Sequence, residues 1–136
     1  MVKPYPYEAL RLADVQQWGQ VKSFVKETVE LHLGPLFAAL LDDLATGVPV
    51  GEIAWRFHLT VAQMILTTCE LLRAQTGLER VALSGSCFQN RLLLSLVVPR
   101  LQGGGFHVLT HHQAPCNDGG IALGQAVVAH HVLIGD

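Results

Sequence analysis

A chain of 136 residues is the size of one ordinary domain, and with 50% hydrophobic and 15% charged residues it can bury a real core, which excludes a disordered polymer. The formal net charge of -2 supplies neither a basic footprint for nucleic acid nor a polybasic patch for a membrane surface. The longest apolar run, Leu92 to Val98, is broken by Ser95 and followed by Pro99, far short of a bilayer span. Met1 to Tyr7 lacks the apolar stretch of a secretion signal. Cys69, Cys87 and Cys116 are odd in number and widely spaced, so a disulfide framework and a structural zinc site are not expected and a cytoplasmic location is.

In chain order, residues 1–11 carry prolines and tyrosines and read as an extended lead-in. Residues 14–27 have weak helical character interrupted by Gly19, and the whole stretch 1–28 is set apart from a domain over 29–136. Val29 to Leu33 alternates like a short strand. Pro35 opens a helix on which Leu36, Ala39, Leu40 and Leu44 recur at helical spacing, and Gly47 stops it. Pro49 starts a longer helix striped by Ile53, Phe57, Val61, Met64, Ile65, Thr68 and Leu72, which Gly77 ends. Arg80 to Leu83 is a strand, and a small-residue loop leads into a helix over 89–101 with Leu92, Leu93, Leu96 and Val97 on its core side. Gly103 to Gly105 stop that helix, Phe106 to Thr110 is a strand, and Asn117 or Asp118 caps a last helix running to about Val132. This order fits an α/β sheet with mostly parallel strands.

Two turns carry the chemistry. Ser84-Gly85-Ser86 lies between a strand and a helix, where backbone N–H groups free of side chains suit a phosphate; a tight turn that binds nothing needs the same small residues. Gln89 and Asn90 come next, and the Asn90 amide can meet a ribose or base edge or serve as a local cap. Asp118, within Asn117-Asp118-Gly119-Gly120, suits a divalent metal or a helix cap. His58 reads as a packed helix residue, His111 and His112 as loop residues, and Asp42-Asp43 as a solvated helix face. Cys87 and Cys116 have no adjacent His or Asp, so no thiol nucleophile is expected.

Three stretches together, Ile53 to His58, Val81 to Leu93 and Pro115 to Ala126, resemble the C-terminal end of the HypF carbamoyltransferases, which mature nickel-iron hydrogenases. The resemblance covers roughly residues 30–130. It implies one half of an actin-like ATPase (ASKHA) superfold domain, with a cleft shared with a first half. It implies a cytoplasmic transferase that moves a carbamoyl group from carbamoyl-AMP to the C-terminal cysteine of a HypE-like partner. By the same resemblance Ser84, Gly85 and Ser86 approach the phosphate of ATP or carbamoyl-AMP, Gln89 and Asn90 lie near the adenosine, and Asp118 helps hold a divalent metal (Mg, Fe or Zn). The family's paired metal histidines belong to the other half, so the 136 residues alone are expected to be inactive.

The chain departs from the family where Ser86 replaces Gly, Cys87 replaces Val and Cys116 replaces Pro. A positive φ at Ser86 would add a conformational cost that Gly avoids. A degenerate module that binds nucleotide or a partner without catalysis is the competing reading, and a tRNA threonylcarbamoyl-adenosine-forming relative fits less well. Nucleic acid and membrane are not expected partners. Surfaces that a missing half would cover are expected to drive self-association.

Overall fold

The computed structural model describes residues 2–13 and 27–134. Strands β1 (Glu8–Ala13) and β2 (Glu27–His32) form an antiparallel hairpin, with Glu8 opposite His32 and Ala13 opposite Glu27. The expected strand at 29–33 is therefore present and starts earlier. The boundary expected at 28/29 falls inside β2, so the hairpin joins the lead-in to the helices beyond it. Apart from Glu27, the weakly helical stretch 14–27 lies outside the described residues.

Helix α1 (Gly34–Ala45) has Pro35 in its first turn, and Gly47 beyond its end takes a φ of 78°. Helix α2 (Val50–Thr76) has 27 residues; Pro49 caps it from outside, and Gly77 closes it at φ 72° with its N–H on the Arg73 carbonyl. Strand β3 (Arg80–Leu83) comes next, then a 3-10 turn at Ser86–Gln89, helix α3 (Arg91–Gly103), strand β4 (His107–Thr110), a second 3-10 turn at Asp118–Gly120 and helix α4 (Ile121–Ile134). β3 and β4 pair in parallel, with Arg80 opposite His107 and Leu83 opposite Thr110. The protein is a mixed α/β fold with a small parallel sheet and packed helices.

The main core lies between α2, α3 and one face of the parallel pair. Leu59 and Ala62 of α2 meet Leu93, Leu96, Val97 and Leu101 of α3, with Leu83 and Phe106 closing the sheet side. Leu92, placed on the core side by its spacing, is exposed; the buried stripe begins at Leu93 and continues at Leu96, Val97 and Leu101, one residue round from it. Pro99 sits inside α3 without ending it. The carbonyl it leaves without a donor belongs to Ser95, an exposed residue whose carbonyl water can satisfy. Arg73 fastens the turn after α3: its guanidinium lies 4.1 Å over the Phe106 ring and donates to the Gly104 carbonyl at 2.7 Å.

A second, smaller core ties the N-terminal segment down. Tyr5, 1% exposed, packs with Leu36 and Met64. Its N–H donates to Thr60 Oγ1 at 2.7 Å, and its hydroxyl donates to Asp43 Oδ2 at 2.6 Å. Arg56 pairs with the same carboxylate and stacks 4.1 Å over the Tyr5 ring. Asp43 is therefore a half-buried anchor rather than part of a solvated face.

Burial first, and then the hydrogen bond to Asp43, raise the Tyr5 hydroxyl from its ordinary 10.0 to about 12. The folded state thus favours the protonated phenol. Its contribution to stability is complete below pH 10 and is lost as pH rises toward about 12. Urea melts across that window should show a loss of stability that is smaller in Tyr5→Phe; parallel curves for the two proteins would contradict the Tyr5–Asp43 bond.

Candidate functional site

β3 delivers the first turn. Gly85 has φ 104° and ψ 157°, a conformation reserved for glycine, and its N–H donates to the Cys116 carbonyl at 2.7 Å. Ser86 opens a right-handed 3-10 turn, so the positive φ falls on Gly85 and the conformational cost considered for Ser86 does not arise. The Gly85 amide is committed to Cys116. The amides of Ser86 and Cys87 begin a helical turn and so have no partner within it, and neither donates to a backbone carbonyl elsewhere among the described residues. They are the donors this turn can offer an anion. Gln89 ends the turn, exposed.

Asn90 caps α3: its Oδ1 accepts from the Leu93 N–H at 3.0 Å. Its Nδ2 lies 2.9 Å from His58 Nε2, while His58 Nδ1 lies 2.8 Å from the Ala54 carbonyl. His58, which reads from sequence as a packing residue, has both ring nitrogens engaged. The Ile53–His58 motif points toward it, but its spacing to Asn90 is set by the fold. Phe57, His58 and Val61 of α2 face Ser86, Cys87, Asn90 and Leu93 across a pocket of about 420 Å³. Its walls are largely apolar, with the Asn90 amide, the His58 ring and Ser86 as polar features.

β4 delivers the second turn. The loop from His111 to Cys116 comes back against the first: His111 Nε2 lies 2.9 Å from Ser84 Oγ, and the Cys116 carbonyl accepts from Gly85. Both turns therefore lie at the carboxyl edge of the parallel pair, where open α/β sheets bind ligands. A cavity of about 50 Å³ between Leu83, Phe88, Leu94, Thr110, His111 and Cys116 is far too small for a nucleotide.

Asn117, not Asp118, caps the second turn, its Oδ1 accepting from Gly119 N–H at 3.1 Å. Gly120 has no room for a side chain, since a Cβ there would lie 2.6 Å from the Pro115 carbonyl oxygen. The Asp118 carboxylate is exposed and accepts no hydrogen bond among the described residues. Among the described residues no three His, Cys, Asp or Glu side chains gather as metal ligands. One free carboxylate does not make a metal site by itself. His112 turns to Thr110, 3.0 Å away. Cys69 is distant in kind from this chemistry: burial, then Glu70, push its thiol up.

Gly85→Ala should lose about 1–3 kcal/mol from strain alone, because the space around it is open. Gly124→Ala, in the open interior of α4, should instead be neutral or stabilising by up to about 1 kcal/mol. Chemical denaturation of the two variants would separate them, and equal stabilities would contradict the turn geometry.

Residues 8–125 match the family model described as "Carbamoyltransferase, Kae1-like Domain, second subdomain". Carbamoyltransferase HypF of a Synechocystis species is 41% identical over 73 residues, 54% of this chain and 9% of that protein. Carbamoyltransferase HypF of Rhodobacter capsulatus is 39% identical over 92 residues, 68% of this chain and 12% of that protein. The crystal structure of full-length HypF in its phosphate- and nucleotide-bound form superposes with a TM-score of 0.82 and 32% identity, covering 100% of this chain and 16% of its own. The crystal structure of T. kodakarensis HypF superposes at 0.64 with 26% identity over 79% of this chain and 14% of its own. The chain thus spans only a small part of the curated relatives it matches. On the match over residues 8–125, the chain belongs to the family of carbamoyltransferase Kae1-like domains, as a second subdomain.

Proposed function

We propose that this chain forms the nucleotide wall of a carbamoyltransferase site. The observation that carries the proposal is the pocket in which the Asn90 amide stands between apolar walls, beside the unpartnered Ser86 and Cys87 amides. Its size and lining suit a purine base, and the adjacent amides suit a phosphate. The nucleotide bound by the solved HypF supports the reading. In it Ser84, Gly85 and Ser86 shape the phosphate turn, Gln89 and Asn90 meet the adenosine of ATP or carbamoyl-AMP, and Asp118 adds one ligand to a divalent cation held mainly by the other half.

The reaction assigned to the complete cleft is carbamoyl transfer to the C-terminal cysteine of a HypE-like partner. The thiolate attacks the carbamoyl carbon, an S–C bond forms, the C–O bond to phosphate breaks and AMP leaves with the electron pair. This chain's part is binding and orientation of the nucleotide. The unit is a piece of a domain, and without the first subdomain it is expected to bind but not to turn over.

Helix α4 gives a specific reason to add association to that role. Its 14 residues include Ile121, Leu123, Val127, Val128, Val132 and Leu133, each more than half exposed. They lie around the whole helix, and a helix apolar on all sides belongs in an interior. Among the described residues no helix is long and apolar enough to cross a membrane. We place the first subdomain there, with a second copy taking its place when the chain is alone.

Calorimetric titration with ATP and Mg²⁺ should give saturable binding that Asn90→Ala, checked for folding by circular dichroism, loses. Absence of heat in the folded wild-type chain would overturn the nucleotide reading. Light scattering at rising concentration should show a dimer or larger species that Val128→Glu with Leu133→Glu disperses; a clean monomer of the wild type would contradict the association.

A further inference from the structure

We propose that His58 is a positioning residue for the nucleotide: it fixes the carboxamide of Asn90 from across the pocket, on a helix that the phosphate turn does not include. The inference rests on the nucleotide reading and extends it to a residue outside both turns.

Four groups form a hydrogen-bonded chain anchored at both ends on backbone atoms. The Ala54 carbonyl can only accept, so His58 Nδ1, 2.8 Å away, carries the hydrogen. The Leu93 N–H can only donate, so the atom of Asn90 facing it at 3.0 Å is the oxygen. That orientation puts Asn90 Nδ2 toward His58 Nε2 at 2.9 Å, where the amide donates and the bare imidazole nitrogen accepts. Every bond in the series then has one donor and one acceptor. Exchange of the Asn90 oxygen and nitrogen would set two donors against each other at Leu93, and movement of the proton on His58 would set two acceptors against each other at Ala54.

The consequence is a defined recognition edge. Asn90 retains one N–H and one further lone pair on its oxygen, a donor beside an acceptor, which suits the edge of a planar heterocyclic base. Among the described residues the Asn90 side chain is otherwise held only by its cap bond to α3, and His58 ties it to α2, the opposite wall. Phe57 stands edge-on to the imidazole at a centroid distance of 6.3 Å. His58 thus removes the rotational freedom that binding would otherwise have to freeze.

Two experiments test this together. The first compares ATP–Mg²⁺ affinity in wild type, His58→Leu and His58→Gln, each checked for folding. His58→Leu should bind about tenfold more weakly, the equivalent of one lost hydrogen bond, and His58→Gln, which keeps an acceptor, should recover most of that loss. The second uses ligand-free, nitrogen-15-labelled protein. The Asn90 side-chain amide, identified by its absence in Asn90→Ala, should show coupling across the hydrogen bond to His58 Nε2, and should move to the position of a free amide in His58→Leu. Equal ATP affinity in wild type and folded His58→Leu would overturn the role of His58 while leaving nucleotide binding intact. No ATP binding by the wild type would instead overturn the nucleotide reading and the positioning role with it. An Asn90 amide unaffected by His58→Leu would overturn the orientation itself.

Discussion

Parallel pairing of β3 with β4 requires the chain to return from one end of the sheet to the other, and α3 makes that crossing. Once α3 is seated on α2 through Leu93, Leu96, Val97 and Leu101, both strands must end at the same edge. The small-residue turn after Leu83 and the acidic turn beyond Thr110 are brought to one place by this constraint. The Gly85 bond to Cys116 and the Ser84 contact with His111 then join the two loops. The site is thus a result of packing on the α2–α3 face, and the same face places His58 opposite Asn90.

The elements marked by glycine and by helical repetition are legible in the sequence. Gly47, Gly77 and Gly105 take positive φ at the stops they mark, and the strand over Arg80–Leu83 appears with those bounds. These signals are local: a positive φ selects glycine whatever surrounds it, and a long stripe reports its own period. The hairpin is only half legible. Val29 to Leu33 alternates, but β1 owes its strand to the pairing with β2, which residues 1–11 do not announce. Pro99 interrupts no core bond, so α3 passes through it.

The site is legible by type and not by bond. Ser84 to Asn90 and the Asp118 turn stand out as small-residue, polar loops, but which amides remain free depends on the contact between Gly85 and Cys116. Asn117 and Asp118 compete for the cap on sequence alone, and only the geometry gives it to Asn117. Asp43 and His58 look ordinary because their partners, Tyr5 with Arg56 and Asn90, are far away along the chain. Long-range polar pairs of this kind leave no periodic trace.

A subdomain with a pocket between α2 and α3 and an uncovered apolar helix α4 fits the reading of one wall of a larger site. Among the described residues it supplies a pocket, the Ser86 and Cys87 amides without a backbone partner and the Asn90 carboxamide, and on the proposed reading one carboxylate, Asp118, toward a metal. On the proposed reading, binding is the property that belongs to this chain itself. The most direct test is to follow backbone amide resonances while ATP is added. Shifts centred on Ser86, Cys87 and Asn90, spreading to His58 and leaving the opposite sheet end at Arg80 and His107 unmoved, are the predicted result. Shifts confined to that opposite end, or none in the folded chain, would contradict the assignment of the nucleotide to this wall.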